Sequence, residues 1–146
     1  MDCEGRKKQM NLHYHVDGDA FIAAGEASSQ VKKVLKQLGI APHTIRKIAI
    51  SMYEAEMNMV LHANGGDIHV EITPHKICIT LKDEGPGIPD LELAMQEGYS
   101  TASQEIRELG FGAGMGLPNM KKYSDELSIR SEVGKGTEVE IIAWLP

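Results

Sequence analysis

The chain has 146 residues, 42% apolar and 25% charged, which fits one globular domain and leaves no room for a second. A formal net charge of −6 argues against nonspecific nucleic-acid binding, which needs basic surface to neutralise phosphates. No apolar stretch approaches the ~20 residues of a bilayer span, and the leading MDCEGRKKQMN has no apolar run behind its basic residues, so no membrane partner and no signal peptide are expected and the chain reads as cytoplasmic.

Residues 1–9 read as a flexible leader, and residues 10–146 as a single domain. Met10 to Val16 alternates as a strand. A helix capped by Asp17 or Asp19 is expected through about Leu38, with Gly39 as its stop. Pro42 suits the first turn of a second helix, which runs to about His62. Within it Ile45, Ile48, Met52, Ala55 and Met59 recur at steps of three and four and form a buried stripe. The period then becomes two. Ile68, Val70 and Ile72, then Ile77, Ile79 and Leu81, make a hairpin with one buried face, turning at Pro74-His75-Lys76. Cys78 lies in this pattern and is expected to be a buried thiol; with Cys3 it makes no disulfide framework.

Asp83–Pro89 reads as a tight loop, and Asp90 to Glu97 as a short helix. Residues of about 98–113 are polar and without a period, long enough for a functional lid. A helix to about Tyr123 and two strands, near Glu126–Glu132 and Thr137–Leu145, complete the chain. The expected fold class is α/β: a two-layer sandwich, its sheet mixed but mainly antiparallel and covered on one face by helices.

Four clusters carry chemistry. Glu54 and Asn58 lie four apart on one helix face, and His62 continues their row. A carboxylate and an amide oxygen so placed can hold magnesium or orient a hydroxyl. Asp83 closes a strand and is followed by Gly85-Pro86-Gly87-Ile88; such a carboxylate can accept from an adenine amino group, and Gly87 lets the backbone approach a flat ring. Glycines alternate through Gly110-Phe111-Gly112-Ala113-Gly114-Met115-Gly116-Leu117, just before a helix, where backbone N–H groups and the helix dipole favour an anion. The run is not a P-loop, and no βαβ unit surrounds it. Gly134-Lys135-Gly136-Thr137 is a turn that can add the Thr137 hydroxyl. Taken singly, each has a plain structural reading: a solvated helix face, a capped turn, a flexible loop, a hairpin.

Together, in this order, the four clusters resemble the boxes of the GHKL ATPase superfamily, with its Bergerat-type ATP site, over about residues 10–145. YEAEMNMVLHA (53–63), DEGPGIPDLELAMQEGYST (83–101) and GMGLPNMKKYSDEL are most similar to the small bacterial anti-sigma-factor serine/threonine kinases, nearest the stress-response switch kinases. The resemblance implies ATP and Mg2+ as cofactors. It implies Glu54 as general base and Asn58 as the magnesium ligand. Asp83 would hold adenine, with Gly85, Gly87, Ile88 and Thr137 around the base. Gly110, Gly112, Ala113, Gly114, Met115, Gly116 and Leu117 would cradle the phosphates. His62, Thr101 and Arg107 are further candidates, Arg107 toward the γ-phosphate. The lid departs from the pattern at Ala102–Leu109, where Gln104, Glu105 and Glu108 accompany Arg107.

The implied activity is ATP-dependent phosphorylation of a Ser or Thr on a STAS-type anti-sigma-factor antagonist. A sigma factor or phosphatase is a further partner, and a homodimer through the first strand is expected. The alternative is an ATP-gated protein-binding module with little catalysis. A detached histidine-kinase ATPase half is disfavoured, because the six histidines mark no phosphoacceptor helix.

Overall fold

The computed structural model describes residues 9–17, 25–62, 65–85 and 116–145. Five strands form one sheet: β1 (Met10–Asp17), β2 (Gly65–Ile72), β3 (Lys76–Asp83), β4 (Glu126–Glu132) and β5 (Gly136–Trp144), in the order β1-β2-β3-β5-β4. Every pairing among them is antiparallel, so the mixed component of the expected sheet is not found among the described strands. Short turns explain two of the four pairings: β2 to β3 and β4 to β5 are hairpins, which can only reverse the chain.

The register aligns the apolar positions. Val70 faces Ile79 across β2–β3, and Ile79 faces Ile141 across β3–β5. With Ile68, Ile72, Ile77, Leu81, Val139 and Ala143 they make one continuous inner face. Cys78 has the opposite parity from Ile77 and Ile79. It is half-buried on the outer face rather than in the core, which corrects the expected buried thiol.

Three helices complete the described fold: α1 (Glu26–Gln37), α2 (Pro42–His62) and α3 (Gly116–Lys122). The stripe of α2 that the sequence marks is fully buried, from Ile45 through Met59. Helix α2 packs on the sheet with α1 and α3 against it. Gly39, at φ +76, stops α1 as expected: its N–H donates to Lys36 and that of Ile40 to Leu35, satisfying two terminal carbonyls. The expected capping aspartates, Asp17 and Asp19, do not start α1. Asp17 ends β1, and Asp19 lies outside the described residues.

The cap of α1 comes from another helix. Glu56 of α2 is 2% exposed, and its carboxylate accepts from the N–H of Gly25 (3.0 Å), Ala27 (3.3 Å) and Ser28 (2.9 Å) and from the Ser28 hydroxyl (2.7 Å). Gly25, the N-cap residue at φ +90, supplies no side chain of its own. A buried carboxylate is costly without donors. Here it meets the orphan N–H groups and the positive end of a helix, so each satisfies the other.

At the other end of α2, the Lys47 ammonium donates to Asp125 Oδ1, while the Trp144 N–H donates to Asp125 Oδ2 at 2.8 Å. This ties the helix to the corner of β4 and β5. The Lys47 hydrogen bond is the largest influence holding the Asp125 carboxyl below its usual range. Among the described residues, no helix is long and apolar enough to cross a membrane.

Candidate nucleotide site

Asp83 is the last residue of β3, and its carboxylate is already oriented. Oδ1 accepts from the N–H of Gly85 at 2.9 Å and from the N–H of Thr137 at 3.1 Å. The first contact makes the turn after the strand; the second fastens that turn to β5. With Oδ1 so engaged, Oδ2 takes no hydrogen bond among the described residues and is left as an acceptor. The wall beside it is tight. Gly136 has φ +122, and a Cβ there would lie 2.2 Å from the Asp83 carbonyl oxygen. Thr137 Oγ1 pairs with Ser131 Oγ of β4 at 2.8 Å, so the residue whose N–H holds Asp83 is itself tied to the next strand. These features fit a flat base bearing an amino group: one fixed acceptor and a backbone without a side chain beside it.

Glu54 and Asn58 are half-buried on α2. The far half of this helix overlies the strand end that carries Asp83. Met59 Cε lies 2.8 Å from where a Cβ on Gly66 would stand, and Gly66 pairs with Asp83. Burial raises the Glu54 carboxyl above its ordinary value, and a hydrogen bond from Asn119 partly opposes that rise. The Asn119 amide of α3 donates to Glu54 Oε1 at 3.5 Å. A carboxylate whose pKa is raised by burial is a stronger proton acceptor than a free one.

The structure therefore joins Asp83, Gly85 and Thr137 directly, while Glu54 and Asn58 stand on α2, whose Met59 reaches the strand pair that ends at Asp83. His62 ends α2, with only its backbone described. Gly116 opens α3, whereas Leu117 is 7% exposed and packs in the core, so it anchors that helix. Gly87, Ile88, Thr101, Arg107, Gly110, Gly112, Ala113, Gly114 and Met115 lie outside the described residues, as do the expected short helix at 90–97 and the lid. Among the described residues, no group of three or more His, Cys, Asp or Glu side chains can hold a metal ion.

Two residues escape the sequence reading. Asn119 lies within GMGLPNMKKYSDEL, but nothing in that stretch assigns it a role, because its partner stands on another helix. Glu56 does carry a signal. It lies four residues after Met52, within the apolar stripe, and a carboxylate in a buried stripe requires donors.

Residues 45–146 match the family described as histidine kinase-, DNA gyrase B- and HSP90-like ATPase. The chain belongs to that family of ATP-using domains. Within it, the chain is similar to the serine/threonine-protein kinase RsbT of Bacillus subtilis (strain 168), with 35% identity over 118 residues, covering 78% of this chain and 83% of the relative. It is also 35% identical over 124 residues to an anti-sigma F factor of Caldanaerobacter subterraneus subsp. tengcongensis, covering 82% and 83% of the two chains. A crystal structure of the RsbU and RsbW domains of a Mycobacterium tuberculosis protein shares the fold at TM-score 0.63 and 17% identity, covering 93% of this chain and 32% of that one. The mycobacterial sensor histidine kinase MprB shares it at TM-score 0.54 and 15% identity, covering 93% and 98%.

Proposed function

We propose that the protein is an ATP-dependent serine/threonine protein kinase of a bacterial partner-switching system. The observation that carries this reading is the oriented Asp83 carboxylate beside the bare Gly136 wall, with the Glu54–Asn58 row above, in a chain 35% identical to a protein named as such a kinase.

ATP, which would be bound with magnesium, would give up its γ-phosphoryl group to a hydroxyl as the β–γ bridging P–O bond breaks and ADP leaves. Asp83 Oδ2 would accept from the adenine amino group, and Thr137 would support that end of the base. The Asn58 amide oxygen would serve as a ligand to magnesium, which prefers oxygen donors. The glycine-rich run ending at Gly116 contributes backbone N–H groups to the phosphates. Glu54 takes the proton from a Ser or Thr hydroxyl that the partner presents, sharpening it as a nucleophile. The partner is a STAS-type anti-sigma-factor antagonist. A second copy pairing through the edge strand β1 belongs to the same reading; a monomeric mass by sedimentation velocity would remove it.

Relatives named anti-sigma F factors favour a second reading, in which ATP gates the binding of a sigma factor and catalysis is secondary. Glu54→Gln separates the two. A kinase loses acid-stable phosphoserine or phosphothreonine on the partner and keeps nucleotide affinity. If the biological output survives that substitution, binding is the function.

A further inference from the structure

Asn119 is carried by α3, which begins where the glycine-rich run ends. Its neighbours in that helix, Leu117 and Met120, are 7% and 0% exposed and pin α3 into the core. The direction of the Asn119 side chain is thereby set by packing, and it points across to α2. Its amide donates to one oxygen of Glu54, Oε1, at 3.5 Å. The contact stands at the long end of hydrogen bonding, as catalytic contacts often do before ligands bind.

A carboxylate base has two oxygens, and only the one facing the incoming hydroxyl is useful. A donor fixed on Oε1 stops the group from rotating freely and leaves Oε2 for the proton. The geometry points to Asn119 as a positioning residue that holds Glu54 through Oε1, so that Oε2 receives the proton of the attacking hydroxyl. This rests on Glu54 being the base. It adds that the base is aimed from α3, the helix that follows the glycine-rich run in the chain.

The groups around Glu54 make the contact readable. Burial and the Asn119 amide are the influences on its protonation among the described residues. Glu56, on the same helix, is turned about 200° away and is occupied by α1. Lys121 and Lys122 of α3 are exposed, with Lys122 over the Tyr123 ring. A donor to the carboxylate favours its charged form, so removing the donor lets the pKa rise further.

The test uses the full chain. In the nucleotide-free protein, carbon NMR of the Glu54 side-chain carboxyl gives its titration midpoint. The expected result is an upward move in Asn119→Ala and a larger one in Asn119→Asp, which sets a carboxylate against a carboxylate while keeping the shape. Release of inorganic phosphate from ATP, with water as the acceptor hydroxyl, is the second readout. Here kcat falls about tenfold in Asn119→Ala while KM for ATP stays within about twofold, the split expected for a residue acting on the base and not on nucleotide binding. In a Glu54→Gln background the same substitution adds nothing further. An unchanged midpoint, or a KM effect with kcat intact, overturns the assignment. If Glu54→Gln itself leaves phosphate release at the wild-type rate, the failure lies with the base and not with Asn119.

Discussion

Replacing Asp83 by asparagine is a clean perturbation because the two carboxylate oxygens have separate duties. Oδ1 accepts from the Gly85 and Thr137 N–H groups, which an amide oxygen can continue to do. The amide cannot flip, because its NH2 would then face two backbone donors. So the Asp83→Asn variant keeps the turn and presents NH2 where Oδ2 was, and an acceptor becomes a donor opposite the adenine amino group. A hydrogen bond to a charged group contributes about 1.5–3 kcal/mol, and about 1.4 kcal/mol is tenfold in affinity, so the Kd for ATP should rise about 10- to 150-fold. Inosine triphosphate, which carries an oxygen in place of the amino group, should lose less or gain, narrowing the preference between the two nucleotides. Titration calorimetry with both nucleotides on both proteins, with melting curves to show that the fold persists, measures this. ATP affinity within about threefold of wild type, or a parallel loss for the two nucleotides, would refute the assignment of Asp83 to the base.

Gly136→Ala drives a methyl to 2.2 Å from the Asp83 carbonyl at a positive φ, whereas Gly134→Ala at φ +85 meets open space, so thermal melting should place Gly136→Ala well below Gly134→Ala; equal melting temperatures would show that the wall gives way. Glu56→Gln keeps its oxygen on the Gly25 and Ala27 N–H groups and sets its NH2 toward Ser28, whose hydroxyl can turn to accept while its N–H loses its partner, a loss of about 1–3 kcal/mol, or about 3–10 °C in Tm for a domain of this size, against about 1 kcal/mol for Ser28→Ala, which removes a single bond. Glu54→Gln should do the opposite. Burial raises the folded pKa of Glu54, so the folded state binds this proton more tightly than the unfolded one, and the charged carboxylate weakens the fold at neutral pH. Urea denaturation should find Glu54→Gln more stable than wild type at alkaline pH, where the wild-type carboxylate is ionised in the folded state. The gain should fade as pH falls through the raised folded pKa and vanish below the ordinary carboxylate range; a gain independent of pH would assign it to packing.

The sheet and its helices are legible in the sequence because burial imposes periodicity. The α2 stripe and the alternation of β2 and β3 show in one dimension what the core does in three. The four clusters are legible as a set because their order along the chain survives without coordinates. Contacts between elements are not. Nothing in helical spacing tells that Asn119 faces Glu54, or that Asp83 Oδ1 serves the Thr137 N–H 54 residues away. The start of α1 is misplaced for the same reason. A sequence offers capping aspartates next to the helix, while the carboxylate that caps it lies 28 residues downstream of Ser28. Cys78 is misjudged where parity is neglected, since an apolar run in a strand alternates faces.

Helix α2 is engaged on three sides, by the sheet, by α1 through Glu56 and by α3 through Glu54. Beyond Pro42 at its start, its exposed positions among the described residues are His43, Arg46 and Tyr53. Of these, Tyr53 lies against Gly25, leaving His43 and Arg46 in the first half of the helix. A cysteine-linked dye at Arg46 would therefore sit on the element that touches both neighbouring helices while displacing nothing buried. It offers an attachment point for following nucleotide and partner binding optically.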